Sequence, residues 1–382
     1  MLKRVLSLTA IAALSVSLFS GCGKTQTQTP IKIGIVAPLS GSSAMVGDTE
    51  VKGVELAVDE INAAGGINGR KLEIVKADDE QNPAKSVSAV NKLVHQDKVN
   101  AVIGTVNSSA VLADMQVTKA AKIPQITPIG SNNKITHSGN PWIFRLQASD
   151  EMQASAVTNY AINQLKKKKI AIMYQSDDYG TGGKDVIVNL LKKKGIEPAA
   201  VESFVPDAKD MTAQLLKVKN SGAEVLIMWT MYEQGALIAK QAKQLGLNTQ
   251  LMGGGGLTNS QLISLAGDSV YGLLNSQTFF PDETKATPVA AKFMKNYKSK
   301  FNQIPDSNAA MSYDSMVILG NAMKKAGKDL KSDDIRKNIA ATKNFNAVTG
   351  NITIDKNGDA NRDILIVKIN DQGKYEVVWP QK

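Results

Sequence analysis

The sequence of 382 residues predicts an α/β protein with two lobes, each built on a sheet with a parallel core. From Ile31 onward, short apolar runs typical of buried strands alternate with amphipathic runs typical of helices. Repeated βα units favour parallel sheets covered by helices on both faces. The alternation begins a new cycle near residue 149, and a long helical stretch follows residue 280. These two breaks predict that the chain passes between the lobes more than once.

The first half of the chain predicts five strands separated by helices. The strands cover residues 31–36, 72–75, 101–104, 125–128 and 142–146. The first helix shows apolar residues at helical spacing between Val51 and Ile61 and ends before Gly65, as helix C-cap chemistry favours. The second helix extends from Pro83, a residue suited to the first helical turn, to His95.

The second half repeats the pattern and then changes to helices. Its strands are predicted at 170–174, 201–204, 225–229, 251–252 and 271–278. Its helices are predicted at 150–166, up to 194, at 211–220, up to 246, and at 288–301, 308–326 and 332–340. Short β segments at 351–355, 363–369 and 375–379 close the chain, and the turn at 356–359 predicts a hairpin.

Residues 1–21 predict a signal peptide that is removed from the mature protein. Lys3 and Arg4 precede an apolar segment, 5–19, that is too short for a comfortable membrane span. Residues 18–22 resemble a bacterial lipobox, which implies that Cys22 becomes the lipidated first residue. Residues 22–30 are then a lipidated cysteine and a flexible tether. Because Cys22 is the only cysteine, the mature domain is predicted to contain no disulfide.

Charge and motif content argue against several classes of function. The net charge is +10, and losing Lys3 and Arg4 leaves +8. The lysine runs at 166–169 and 192–194 lie at predicted helix C-termini without arginine or aromatic partners, so nucleic-acid binding is not predicted. The two histidines have no partners at metal spacing, and neither a nucleophile elbow nor a complete phosphate loop is present. No metal, cofactor or enzymatic activity is expected.

A candidate binding site lies where two neighbouring strands end. The strand at 101–104 is followed by Asn107, Ser108 and Ser109, and the strand at 125–128 is followed by Gly130 and Ser131. Consecutive parallel strands end at the same edge of a sheet, where ligands bind. Ser108 or Ser109 stands where a helix N-cap belongs, and the free N–H groups there favour an anion. The pattern predicts a site for a small carboxylate.

Several further short segments follow one another along the chain. Each is weak evidence alone, but together and in this order they are specific. They read IGI at 33–35, PLSG at 38–41, Gly53, DEIN at 59–62, GGING at 65–69, DD at 78–79, VIG at 102–104, SS at 108–109, TP at 127–128, FR at 144–145 and YGTG at 179–182. With these segments the chain resembles, over residues 31–379, the periplasmic-type substrate-binding proteins of ABC transporters. It is most similar to their leucine/isoleucine/valine-binding branch.

The resemblance implies the type I periplasmic-binding-protein fold. In that fold, two Rossmann-like α/β lobes are joined by a three-strand hinge and close on the ligand. The crossings are expected near 148–150, 277–280 and 349–352. Residues 31–148 and 279–350 would form the N-terminal lobe, and residues 149–278 and 351–382 would form the C-terminal lobe.

The resemblance also implies roles for residues of the candidate site. Ser108, with its own N–H or that of Ser109, would bind the ligand carboxylate. The Ile129 carbonyl and the Ser131 hydroxyl would accept hydrogen bonds from an α-ammonium group, and the Ser131 N–H could also help to bind the carboxylate. Tyr179 would stack on the ligand from the second lobe. Among Trp229, Met231 and Tyr232 at least one residue is expected to line the pocket.

One position departs from the pattern of the resembling family. Relatives that bind amino acids carry an acid at the position of Gly255, and that acid pairs with the ligand ammonium. A buried ammonium without a charged partner would be destabilised by several kcal/mol. Asp150 could replace the acid, since relatives do use an acid there. Otherwise the ligand is an aromatic acid or another carboxylate without an ammonium group.

The resulting functional prediction is a monomeric solute receptor that is tethered outside the cytoplasm by lipidated Cys22. It would bind a branched-chain or other neutral amino acid, close, and deliver it to ABC permease subunits in the membrane. A ligand sensor that reports to a signalling partner is the alternative class. An enzyme is disfavoured because no triad or base beside a nucleophile is present.

Overall fold

The computed structural model describes residues 29–380. The predicted signal peptide, the lipidation site at Cys22 and nearly all of the tether lie outside the described residues.

The first lobe contains a sheet of five parallel strands in the order β2-β1-β3-β4-β5. Its elements are β1 (Ile31–Ala37), α1 (Ala44–Ala63), β2 (Leu72–Asp78), α2 (Pro83–His95), β3 (Ala101–Gly104), α3 (Ser108–Ala121), β4 (Gln125–Thr127), α4 (Lys134–His137) and β5 (Ile143–Arg145). Helix α2 and strand β3 have the predicted bounds, whereas the short helix α4 was not predicted.

The second lobe contains a sheet of seven strands. Its first elements are α5 (Asp150–Asn163), β6 (Ile170–Gln175), α6 (Asp178–Lys193), β7 (Ala200–Phe204), α7 (Thr212–Asn220), β8 (Val225–Trp229), α8 (Tyr232–Gln244), β9 (Gln250–Gly253), α9 (Ser260–Ala266) and β10 (Leu274–Gln277), with 3₁₀ turns at Gly255–Leu257 and Gly267–Val270. Strand β8 has its predicted bounds, and helix α9 was not predicted.

The remaining elements are shared between the two lobes. They are α10 (Pro288–Phe301), α11 (Ser307–Lys325), α12 (Ser332–Ala340), β11 (Phe345–Ala347), β12 (Gly350–Ile352), β13 (Leu365–Ile369) and β14 (Tyr375–Trp379). Helices α10–α12 belong to the first lobe, since α10 packs beside α1 and α11, and α12 packs in the core that α1 and α11 form with the first sheet. Strands β13 and β14 complete the second sheet in the order β14-β13-β10-β9-β8-β6-β7, with β13 antiparallel to both of its neighbours. The predicted fold class of two α/β lobes with parallel-core sheets is confirmed.

Helices cover both faces of the first sheet. Ile33 and Ile35 of β1 belong to a buried cluster that α1, α11 and α12 complete on one face. Val36 of β1 and Val102 of β3 face the opposite side, where they pack against α2 and α3. Helices α3 and α11 therefore reach the edge of the sheet from opposite faces.

The third passage between the lobes lies later than predicted. Residues 351–360 were assigned to the second lobe, but Ile352, Ile354 and Ala360 are buried in the core of the first. The turn at 356–359 lies against β5, because the Arg145 N–H donates to the Gly358 carbonyl at 2.9 Å and the Ala360 N–H donates to the Arg145 carbonyl at 3.0 Å. The chain thus crosses between Ala360 and Leu365, and the predicted hairpin turn closes only a single bridge between Ile354 and Ala360.

A fully buried carboxyl group lies on α1 next to the sheet. Neither carboxyl oxygen of Glu50 has a hydrogen-bond partner among the described residues. Burial, together with the neighbouring Asp79 and Asp114 carboxyls, raises the pKa of Glu50 well above its ordinary value. The folded protein therefore keeps a proton on Glu50 that the unfolded chain releases above about pH 4.5, so its stability decreases as the pH rises through that region.

Replacing Glu50 with glutamine is expected to remove this loss of stability. The gain in the free energy of unfolding should be larger at pH 8 than at pH 5, because the raised pKa of Glu50 lowers stability only above the pH at which the unfolded chain releases this proton. Denaturant titrations of wild type and Glu50→Gln at both pH values measure the difference. Glu73→Gln, at an exposed position on β2, is the matched control. An equal effect of Glu50→Gln at both pH values would contradict the expectation.

Candidate ligand-binding site between the lobes

A cavity with about 450 Å³ of empty space, open solvent included, lies between the lobes at the carboxyl ends of both sheets. The lining residues are Val46, Val106, Asn107, Ser108, Ile129, Ser131, Gln147, Gln153, Tyr179, Met231, Gly255, Gly256, Thr258 and Asn308. Most of them follow the ends of β3, β4, β5, β6, β8 and β9, as the strand-end argument predicts for β3 and β4.

The two lobes are in contact beside this cavity. The Asn107 side-chain amide donates to Asp177 Oδ2 at 3.1 Å, and the Asp178 N–H donates to Ser109 Oγ at 3.2 Å. The Tyr232 hydroxyl of the second lobe donates to the Ser42 carbonyl of the first at 3.2 Å. The structure therefore shows the lobes in a closed arrangement.

Ser108 begins α3 and is almost fully buried in the cavity wall. Its hydroxyl oxygen accepts hydrogen bonds from the Ser131 N–H at 3.3 Å and from the Asn132 N–H at 3.2 Å. Because both lone pairs are then occupied, the hydroxyl proton is left to be donated into the cavity. Such an oriented donor suits a carboxylate oxygen.

The N-cap of α3 differs from the prediction. Asn107, rather than Ser108 or Ser109, caps the helix, with its side-chain oxygen accepting from the Ser109 N–H at 2.9 Å and the Ala110 N–H at 3.4 Å. The Ser109 N–H, an alternative carboxylate donor in the sequence analysis, is therefore already bonded. Ser109 itself lies in a neighbouring hollow between the lobes.

Ser131 is connected to a buried carboxyl group behind the cavity wall. Its hydroxyl donates to Asp150 Oδ1 at 2.8 Å, and the Trp229 indole N–H donates to the same oxygen at 3.3 Å. Asp150 is the first residue of α5, Ser149 is the N-cap, and Asp150 does not line the cavity. While Asp150 is ionised, Ser131 must donate to it, so that the lone pairs of Ser131 remain for a donor in the cavity.

The Asp150 carboxyl group is fully buried, and its pKa is shifted as a result. Burial raises its pKa to about 7, against the lowering effect of the hydrogen bond from Ser131 and of the Arg145 charge. Its Oδ2 atom is buried without a hydrogen-bond partner among the described residues. The protonation of Asp150 is therefore expected to respond to a charge placed next to Ser131.

The aromatic residues predicted for the second lobe occupy two layers. Tyr179 lines the cavity and accepts a hydrogen bond from the Gly256 N–H at 3.1 Å. Trp229 lies fully buried behind it, with ring centroids 6.0 Å apart. The indole packs on Gly183, where an added Cβ would lie 2.1 Å from the ring. Trp229 thus supports Tyr179 and Asp150 from behind the wall.

Of the two residues predicted in the loop after β8, only Met231 lines the cavity. Tyr232 lies instead in the neighbouring hollow that also contains Ser109.

Gly255 lies where the resembling family carries an acid, and a neutral side chain occupies the adjacent space. The Gln153 side-chain oxygen accepts from the Gly255 N–H at 2.7 Å. A Cβ added to Gly255 would lie 2.8 Å from that oxygen. Tyr179 is the only ionisable residue among the described residues of the wall, and burial raises its pKa above the ordinary value. The wall of the cavity is therefore uncharged at neutral pH.

Helix N-termini supply the electrostatic field of this uncharged cavity. Lining residues lie in the first turns of α1, α3, α5, α6 and α11, and Met231 is the N-cap of α8. The N-terminal end of a helix carries a partial positive charge and unsatisfied N–H groups, which stabilise anions. The cavity therefore favours a small anionic group.

The sequence analysis did not point to several residues that line the cavity, among them Val106, Gln147, Gln153, Thr258 and Asn308. The strand-end rule could have found Val106, Gln147 and Thr258, because they follow β3, β5 and β9. Gln153 and Asn308 lie on helices that begin beside the cavity, and nothing in their local sequence distinguishes them.

Two α/β lobes that close over a small polar cavity define a solute-binding protein. The sequence agrees, since the periplasmic binding protein family matches residues 30–374. An amino acid binding protein of Pseudomonas aeruginosa is 32% identical over 368 residues, which are 96% of each chain. The chain belongs to the periplasmic binding protein family.

Solved structures have the same fold. The substrate-binding protein of a branched-chain amino acid transporter from Streptococcus pneumoniae, in complex with isoleucine, is 31% identical with a TM-score of 0.85, and the alignment covers 92% of this chain and 99% of that one. An ABC transporter solute-binding protein from R. palustris, in complex with benzoate, is 21% identical with a TM-score of 0.84, covering 92% and 96% of the two chains. The latter similarity concerns the fold alone.

Membership of this family makes the chain a solute-binding protein that acts outside the cytoplasm, rather than an enzyme. Within residues 29–380, no helix is both long and apolar enough to cross a membrane. In the same part of the chain, no group of three or more His, Cys, Asp or Glu residues could hold a metal ion.

Proposed function

We propose that this protein is the solute-binding component of an ABC importer for a small carboxylate-bearing solute, a branched-chain or other neutral amino acid. The observation that carries the proposal is Ser108, whose hydroxyl oxygen accepts two backbone hydrogen bonds and whose proton is left for the cavity. Helix N-termini around it favour the negative charge of a carboxylate. The related amino acid binding protein of Pseudomonas aeruginosa supports this ligand class.

The ammonium group of an amino acid would bind at Ser131 and Ile129. Both residues line the cavity, and Ser131 offers lone pairs while its proton is held by ionised Asp150. Asp150 then acts through Ser131 as a positioning residue. Tyr179 and Met231 would cover the ligand from the second lobe.

A carboxylate without an ammonium group is the second candidate. The favouring observation is the uncharged wall, in which Gln153 occupies the space beside Gly255. A zwitterion in this cavity would have no acid in direct contact with its ammonium, whereas an aromatic or aliphatic acid would need none. A protein of the same fold is described in complex with benzoate.

We also propose that Cys22 carries a lipid that anchors the protein as a monomer to the outer side of the cell membrane, beside its permease. Residues 1–21 would be the signal peptide, with residues 22–30 as the tether. Residues 31–148 and 279–360 would then move as one lobe during closure, and residues 149–278 and 365–382 as the other. Differential contacts of the ligand with the two lobes would favour the closed state.

A thermal-shift screen tests the proposed function. The protein, freed of bound ligand, is scanned with neutral amino acids, their deaminated analogues and aromatic acids. A ligand that binds only the folded state raises the melting temperature, by an amount set by its concentration relative to Kd. A rise with one of these carboxylates supports the proposal. A rise only with solutes that lack a carboxylate would contradict it.

Replacing Ser108 with alanine is expected to weaken binding of the best ligand by roughly 1–3 kcal/mol, since the variant removes a hydrogen bond to a charged group. Calorimetric titration of wild type and variant measures the change in Kd. Ser88→Ala, at an exposed position on α2, is the matched control and should bind as the wild type does. Unchanged affinity of Ser108→Ala would remove Ser108 from the carboxylate site.

A further inference from the structure

One polar side chain in the cavity wall has no hydrogen-bond partner among the described residues. Asn308 is the second residue of α11, is 4% exposed and lines the cavity. Its side-chain amide forms no hydrogen bond with any described residue. Asn107, by comparison, uses both ends of its amide, because the oxygen caps α3 and the nitrogen donates to Asp177. An amide that faces the cavity and has no protein partner is free to bond to a ligand there.

The position of Asn308 separates it from the carboxylate end of the cavity. Ser108 begins α3, which packs on the face of the first sheet that contains Val36. Asn308 lies in the first turn of α11, which packs on the opposite face with Ile33 and Ile35. The two side chains therefore reach the cavity from opposite sides of the sheet, and a ligand carboxylate held by Ser108 leaves Asn308 for another part of the ligand.

Two further wall residues have unused hydrogen-bonding capacity. Gln147 accepts from the Ala148 N–H at 3.0 Å through its side-chain oxygen, and its NH₂ group donates to no described residue. Thr258 accepts from the Asn275 side chain at 3.0 Å, so its hydroxyl proton is left for another acceptor. These groups are neutral donors and acceptors, so they suit a neutral polar group better than a second charge.

We propose that the ligand carries, besides its carboxylate, a neutral hydrogen-bonding group such as a hydroxyl or carboxamide, and that Asn308 selects for it. The inference rests on the proposed function, since it takes the carboxylate as bound at Ser108. A site built to hydrogen-bond a polar group discriminates strongly against an analogue that lacks it, because the buried partner is then left unsatisfied. A purely aliphatic side chain would exclude water from the Asn308 amide without bonding to it.

Matched ligand pairs test this selectivity. The pairs are threonine against valine and asparagine against leucine, which differ little in shape. The threonine and valine pair has counterparts without an ammonium group, 3-hydroxybutyrate and 3-methylbutyrate, which are compared in the same way. Calorimetry gives Kd for both members of each pair with wild type, Asn308→Leu and the control Asn321→Leu, which changes an exposed asparagine on the same helix.

The expected result is that wild type and Asn321→Leu bind the polar member of at least one pair about tenfold or more tightly than its apolar partner, the size expected for one buried hydrogen bond. Asn308→Leu should abolish or reverse that preference. Equal or tighter binding of the apolar members by wild type would overturn the inference and leave the proposed function intact. An equal loss for both members in Asn308→Leu would also overturn it. Binding of none of these carboxylates by wild type would overturn the inference, and failure of every carboxylate in the thermal-shift screen would overturn the proposed function as well.

Discussion

Replacing Asp150 with asparagine is expected to weaken the binding of amino acids by about 2 kcal/mol or more, while a deaminated analogue keeps nearly its wild-type affinity. Ionised Asp150 accepts the Ser131 proton at 2.8 Å and so leaves the Ser131 lone pairs for the ligand ammonium. An asparagine can donate to Ser131 instead, which turns the Ser131 proton toward the ammonium group. Calorimetry with an amino acid and its deaminated analogue measures the difference.

The same arrangement predicts a pH dependence of binding. Burial raises the pKa of Asp150 to about 7, so the amino-acid affinity of the wild type should increase from pH 6 to pH 8 as Asp150 ionises. Neither the deaminated analogue nor the Asp150→Asn variant should show this increase. Asp333→Asn, an exposed change in the first turn of α12, is the matched control. An equal loss of affinity for both ligands in Asp150→Asn would show that Asp150 serves only the structure.

Replacing Arg145 with methionine is expected to lower the free energy of unfolding by about 3–5 kcal/mol, the range for breaking a buried ion pair from one side. Arg145 is fully buried, and its Nε donates to Asp359 Oδ1 at 2.8 Å. Its Nη1 donates to the Ser131 and Asn132 carbonyls, each at 2.7 Å. The variant therefore loses both the pairing of 356–359 with β5 and the support of the Ser131 segment.

Denaturant titration measures this loss of stability, and ligand titration of the still-folded variant shows its effect on the Ser131 segment. The control is Lys217→Met, which removes a surface ion pair with Glu202 and should change stability by less than about 1 kcal/mol. A similar small change for Arg145→Met would mean that the buried pair is dispensable and that the Ser131 segment holds its shape without it.

Local patterns were sufficient to predict most of the secondary structure. Helices α2, α10 and α12 and strands β3 and β8 have the predicted bounds, because proline starts, apolar runs and helical spacing act within a few residues. The third passage between the lobes could not be found this way. It depends on the pairing of Arg145 with Asp359, which are 214 residues apart in sequence.

In the site, too, local patterns predicted some residues but not the contacts between residues far apart in sequence. Ser108, Ile129, Ser131, Tyr179 and Met231 line the cavity, as strand-end position and family resemblance indicated. The Gln153 side chain occupies the space beside Gly255, which lies 102 positions later in the sequence. No local pattern indicates this contact. Asp150 was predicted beside the ligand, whereas the structure places it behind Ser131, because α5 begins there with its first residue buried against Trp229.

The central claim is that a carboxylate is held at Ser108 between the closed lobes. A crystal structure of the protein with the best ligand from the thermal-shift screen tests it most directly. The expected result is a carboxylate oxygen within about 3 Å of Ser108 Oγ, the distance of a charge-assisted hydrogen bond, with Tyr179 and Met231 over the rest of the ligand. A ligand bound between the lobes with its carboxylate turned away from Ser108, or bound outside this cavity, would contradict the account.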